Sequence, residues 1–228
     1  MRTLIRTEKR LKYVMVILSV LALIPSTALY ANAGETFDTC VSLCKFAGGI
    51  TTAFMIHEGG HAAVAALTGT KLDWRIGDSN QPMKFNEHAD SDAIGLAINS
   101  AGLVTQAIAG EIILQSEDID MNSAFWRGMM AWNILNPISY ALDYWFIHRT
   151  NKIYNASYEG DISGIEYYSN KETANAFAFS ISAIALVHGY RFLKTQSWAP
   201  DWLKATSHNM TVQPVRSGGA LLTCRFEF

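Results

Sequence analysis

The stretch Phe54-Met55-Ile56-His57-Glu58-Gly59-Gly60-His61-Ala62-Ala63-Val64-Ala65-Ala66-Leu67-Thr68-Gly69 sets the frame for the rest of the chain. His57 and His61 are four residues apart. On an α-helix that spacing puts both imidazoles on one face, one turn apart, where they can share a metal ion. Glu58 adjoins the same ion and is placed to take a proton from a water bound to it. Zinc lowers the pKa of such a water to about 7, which makes hydroxide available near neutrality. The pattern His-Glu-x-x-His therefore predicts a zinc site with Glu58 as general base. The competing reading is two hydrogen-bonded histidines on a polar helix face.

A hydrolytic zinc site needs a third protein ligand and an open fourth position. A third histidine six residues after the second would fall at position 67, where Leu67 stands. A glutamate ligand in a Glu-x-x-x-Asp pattern is not apparent downstream. The best remaining carboxylate is Asp143, inside the apolar run Asn133-Ile134-Leu135-Asn136-Pro137-Ile138-Ser139-Tyr140-Ala141-Leu142-Asp143-Tyr144. An aspartate in such a run calls for a cation. The alternative is an Asp143 bonded to backbone or to an arginine.

Working outward, four apolar segments are visible, at about 44–67, 93–114, 125–147 and 174–193. Each is near the length that spans a bilayer. The first holds the histidine pair, the second Asn99, Gln106 and Glu111, and the third Asn133, Asn136 and Asp143. Polar groups inside apolar spans mark a functional interior. Composition agrees with this: half of the 228 residues are hydrophobic and 17% are charged, against about 25% in a soluble domain. The mean hydropathy of +0.10 requires polar loops or a polar tail as well. The fold expected is an all-α membrane bundle of about four transmembrane helices, with a short C-terminal β-hairpin. Helices of a soluble bundle with polar residues on the wet face are the alternative.

The N-terminus reads as an export signal. Arg2, Arg6, Lys9, Arg10 and Lys12 precede the apolar run 14–24, and Ala31-Asn32-Ala33 offers a small-residue cleavage site before Gly34. An uncleaved first span is the other reading, and both leave Gly34 outside the cytoplasm. The next loop, with Lys71, Arg75 and Lys84, then lies inside. The loop with Glu117, Asp118 and Asp120 lies outside, and the one opening with His148, Arg149 and Lys152 lies inside. That order follows the positive-inside rule; Arg191, Lys194 and Lys204 mildly oppose an external tail. The first and third spans run in the same direction, which puts His57 and Asp143 within a few turns in depth. The location implied is a bacterial inner membrane, with the periplasm as the alternative.

Three regions follow: a signal peptide or first span at 1–33, a membrane-embedded helical core at 34–195, and a tail at 196–228. In the tail, Thr211–Val215 and Leu221–Phe228 alternate around Ser217-Gly218-Gly219, as in a hairpin. Of Cys40, Cys44 and Cys224, either of the first two can meet the third in an oxidising compartment, or all three are unpaired thiols. The net charge of −2 shows no basic excess, which excludes nucleic acid as a partner. His88-Ala89-Asp90-Ser91-Asp92 reads as a solvated loop and His188 as a core histidine. Trp126, Trp132, Tyr144 and Trp145 read as interfacial anchors.

Three motifs in order resemble the site-2 protease family of intramembrane zinc metallopeptidases, over roughly residues 44–150. The first is the His57–His61 helix running into small residues and Gly69, similar to the family's H-E-x-G-H helix. The second is Asn99-Ser100-Ala101-Gly102-Leu103-Val104-Thr105-Gln106, similar to its A-G-P-x-x-N stretch. The third is Asn136-Pro137 with Leu142-Asp143, similar to its N-x-x-P and L-D-G stretch. Leu103, Gln106 and Tyr144 depart from the family's proline, asparagine and glycine. The resemblance implies that His57, His61 and Asp143 bind zinc, that Glu58 is the general base, and that Gln106, Asn133 or Asn136 positions a substrate strand or an oxyanion. The implied substrate is a membrane-anchored protein or peptide near the cytoplasmic face, and the implied surroundings are the lipid bilayer. A soluble periplasmic zinc peptidase and a catalytically inactive membrane relative are the other expectations.

Overall fold

The computed structural model describes residues 33–74, 83–85, 89–148, 160–204, 209–214 and 220–225. The export signal therefore lies outside the described residues up to position 32. So do His88, the basic loop after residue 148 and the Gly-Gly turn of the tail. The chain divides into two units, Met1–Cys44 and Lys45–Phe228. The described part of the first unit is helical, and its Cys40 and Cys44 are free, exposed thiols. The second unit holds everything that follows.

Helix α1 spans Ala33–Thr68. Gly69 ends it in a left-handed conformation, φ 73°, and the amide of Thr70 donates back to the Ala65 carbonyl at 2.9 Å. A short strand pair follows: β1, Leu72–Trp74, runs antiparallel to β2, Met83–Phe85. Helix α2 spans Asp92–Gln115 and starts at Ser91, whose hydroxyl accepts from the Ile94 amide. Helix α3 spans Ala124–Leu142 and passes into a π-helical turn, Asp143–His148. Helix α4, Asp161–Tyr168, is short. Helix α5, Lys171–Thr195, is capped by Asn170, whose side chain accepts from the Thr173 amide at 2.8 Å. A single turn α6, Asp201–Lys204, precedes strands β3, Asn209–Pro214, and β4, Ala220–Arg225. These two strands pair antiparallel, with Thr211 opposite Thr223.

Packing contacts give the helix directions. Gly49 of α1 lies against Phe125 and Met129 of α3, and Gly128 of α3 lies against Phe46 of α1. Further on, the His57 ring meets Tyr140. α1 and α3 therefore run the same way. α2 runs against α1, since His61 meets Ile98 while His57 meets Gln106. α5 runs with α2, because Gly110 touches His188 while Leu103 clusters with Ala178 and Ile181. One apolar cluster holds Leu103, Ala141, Ile162, Ile165 and Ala178; a second holds Ala53, Ile113, Met129, Met130 and Phe192.

Three helices are long and apolar enough to cross a membrane: Asp38–Thr68, Asp92–Gln115 and Lys171–Thr195. The four expected spans are thus reduced to three of that kind among the described residues. The third segment falls short in hydropathy and not in length, since the 19-residue α3 is long enough. Arg127, Asn133, Asn136 and Pro137 lower its apolar character, and a proline inside a helix also removes one backbone hydrogen bond. The distribution of side chains supports a membrane setting. Ile108 and Ile112 on α2, and Phe179 and Leu186 on α5, are all more than half exposed. His57, Glu58, Asn99, Gln106, Asn133 and His188 are buried.

Candidate metal centre

Helix periodicity brings His57 and His61 to the face of α1 that packs on α2. Gly102 makes the contact possible: a Cβ there would overlap both imidazole rings. Gly60 performs the same service one turn along, where a Cβ would press on the Ala101 carbonyl and Thr105. The small-residue pattern is therefore a requirement of close helix approach at the site.

Both rings are oriented through Nδ1. His57 Nδ1 lies 3.0 Å from Gln106 Oε1, and His61 Nδ1 lies 2.6 Å from the Ile98 carbonyl oxygen. Each partner is an acceptor, so each Nδ1 carries the proton and donates. In the neutral rings the two Nε2 atoms are then lone pairs; a second proton on either ring would instead point at Asp161. They stand 3.3 Å apart. Asp161 Oδ2, from the first turn of α4, lies 3.2 Å from His57 Nε2 and 3.4 Å from His61 Nε2. Burial pushes the Asp161 carboxyl up, and the His61 and His57 rings, when protonated, push it down by more. The group is then held well below the usual carboxylate range and is an anion. It receives no hydrogen bond at Oδ2.

The ligand-capable atoms of His57, His61 and Asp161 all lie within 4.8 Å of one another, a group that could hold a metal ion. Their spacing fits a bound ion and equally fits direct polar contacts among the three side chains. A tetrahedral zinc ion with ligands at about 2.0–2.1 Å separates those ligands by about 3.3–3.4 Å. The three observed separations, 3.2, 3.3 and 3.4 Å, match one face of that tetrahedron. Two imidazoles and one carboxylate are a donor set that zinc accepts.

The expected third ligand, Asp143, is not among the residues this geometry brings together. The metal-capable group among the described residues is His57, His61 and Asp161. Asp143 instead sits where α3 gives way to the π-helical turn. Glu58 stands where the motif requires, buried, with its carboxylate acting electrostatically on His57, His61 and Asp161. Gln106, expected to hold substrate, is fully buried and engaged: its Oε1 also accepts from Asn136 Nδ2 at 2.9 Å, and its Nε2 donates to the Trp132 carbonyl at 3.0 Å. Asn136 is therefore tied to Gln106. Asn133 faces Gly110 beside His188, and its amide atoms make no hydrogen bond.

Sequence reasoning missed Asp161 and Tyr140. The Tyr140 ring stacks on His57, with centroids 5.8 Å apart and planes at 26°. Asp161 is set by the docking of α4 on α2. A Cβ at Gly164 would overlap the Asn99 amide, and one at Gly95 would overlap the Tyr168 ring. Gly160 turns the chain into α4 at φ 90°, a conformation favouring glycine. No local pattern announces this: Gly160-Asp161 reads as an ordinary acidic first turn.

A second polar group joins α2 to α5. Glu111 Oε2 accepts from Arg191 at 2.6 Å and lies 3.1 Å from His188 Nε2, while Gln115 donates to Oε1 at 2.6 Å. Its charges are mutually satisfied. In comparisons with known proteins, no family model matches the chain, and no curated protein or solved structure matches it.

Proposed function

We propose that this chain is a zinc peptidase of the membrane that cleaves a membrane-associated protein or peptide. The carrying observation is the convergence of His57 Nε2, His61 Nε2 and Asp161 Oδ2 on one point at tetrahedral spacing, next to a glutamate in the His-Glu-x-x-His position. Zinc, when bound, supplies a Lewis acid for the scissile carbonyl and acidifies the attacking water. Glu58 accepts the water's proton and returns it to the leaving nitrogen. His57 and His61 keep their orientation through Nδ1, and Tyr140 walls the His57 side. A helical substrate has to unwind locally to present its carbonyl, because an intact helix engages it.

The exposed apolar stripes on α2 and α5 favour the membrane over a soluble periplasmic enzyme. With Asp161 in place of Asp143, the proposed kinship to site-2 proteases rests mainly on the α1 motif and its small-residue packing. We place the protein in a bacterial inner membrane, with Gly34 outside the cytoplasm.

The test is zinc content of the detergent-purified protein, paired with hydrolysis of a membrane-anchored reporter. About one zinc per chain is expected, lost in His61→Ala and in Asp161→Ala. Absence of zinc from folded, metal-reconstituted protein would sink the proposal. Zinc without hydrolysis would leave a metal-binding membrane protein with no turnover.

A further inference from the structure

We infer that Gln106 is a positioning residue for the metal centre: it fixes the His57 tautomer, so that metal affinity depends on the side chain of α2 and not on α1 alone. This rests on the zinc-site reading above. The two histidines are held differently. His61 donates to a backbone carbonyl, that of Ile98, which no substitution removes. His57 donates to a side chain, Gln106 Oε1. A free neutral imidazole carries its proton on either nitrogen. Only the Nδ1–H form leaves Nε2 bare toward His61 and Asp161.

Gln106 is itself held so that its oxygen, and not its nitrogen, faces His57. Its Nε2 is committed to the Trp132 carbonyl. Asn136 Nδ2 donates to the same Oε1, which rules out a flipped amide: a flip would set two donors against each other. The chain Asn136–Gln106–His57 therefore carries orientation from α3 through α2 to the ligand on α1. With its oxygen accepting twice and its nitrogen donating, Gln106 has little left for a substrate. Outer partners of ligating histidines commonly contribute about 10–100-fold to metal affinity.

The experiment compares wild type, Gln106→Met and Gln106→Glu in detergent. Methionine keeps length and removes the acceptor. Glutamate keeps the acceptor toward both His57 and Asn136 and, as the neutral acid, keeps a donor toward the Trp132 carbonyl. Zinc affinity by chelator competition is expected to fall about 10–100-fold in Gln106→Met and to be recovered in Gln106→Glu. The absorption of the cobalt-substituted protein is expected to change in the methionine variant and return in the glutamate one. ¹⁵N NMR of histidine-labelled, metal-free protein reads the tautomer directly: Nδ1–H at His57 in wild type, a mixture in Gln106→Met. Unchanged affinity, unchanged cobalt absorption and an unchanged tautomer in folded Gln106→Met would overturn the inference. Failure of the wild type to bind zinc, with the tautomer difference intact, would remove the metal reading while leaving Gln106 as the residue that sets His57. Should Gln106→Met not fold, Asn136→Ala loosens the same amide and is expected to lower zinc affinity; no change in it would count against the inference.

Discussion

Asp161 and Asp143 separate the two possible ligand sets at the level of single residues. Asp161→Ala is expected to abolish stoichiometric zinc binding, whereas Asp143→Ala retains it; metal analysis of the two purified variants decides. Glu58→Gln keeps the ligands and removes the base, so zinc is retained while reporter hydrolysis falls at least ~100-fold. Gly102→Ala carries a Cβ into both imidazoles and is expected to lose zinc; Gly59→Ala meets open space and is expected to keep it. His57, His61 and Glu58 were legible because their geometry is local, set by helix periodicity alone. Asp161 was not, because its role comes from a tertiary contact far downstream. Gln106 was visible as a polar residue in an apolar run, but its partners come from three helices, and no sequence spacing reveals that.

The elements divide the work. α1 offers the pair, α2 supplies the glycine gap and the Nδ1 acceptors, and α4 delivers the carboxylate. The α2–α4 seam is expected to control the site without touching it. Gly164→Ala forces Asn99 aside and displaces the helix that carries Asp161. Its zinc affinity should drop while far-UV circular dichroism stays close to wild type; full zinc affinity would refute this account of the seam. α1 begins at Ala33, well before the apolar segment that starts at Cys44, but its end and the bounds of α2 and α5 followed closely from hydrophobic runs. The third segment did not, since Pro137 and the π-helical turn shorten a stretch that composition alone extends. The β1–β2 pair escaped notice because three-residue strands leave too little alternation to read.

Among the described residues, an apolar core encloses several histidines and amides, while large apolar side chains such as Ile108, Ile112, Phe179 and Leu186 also face outward. Ile108→Lys tests what surrounds those side chains. In a bilayer a central lysine costs about 2.5–3.5 kcal/mol on insertion scales, so the variant is expected to insert poorly. In water an exposed lysine at that position would be tolerated, and normal yield in the soluble fraction would argue for the periplasmic alternative. The free thiols of Cys40 and Cys44 offer an orientation test. Labelling of intact spheroplasts by an impermeant maleimide is expected if Gly34 lies outside.

The separation of the three ligands along the chain also bears on biogenesis. His57 and His61 leave the ribosome early, whereas Asp161 emerges only after α2 and α3 have been made. At about 5–20 residues per second, the nascent protein spends seconds with two ligands and no third. In the proposed enzyme the hydrolytic centre is then assembled last, when α4 docks. The order of synthesis by itself keeps an unfinished chain from cutting its neighbours in the insertion machinery.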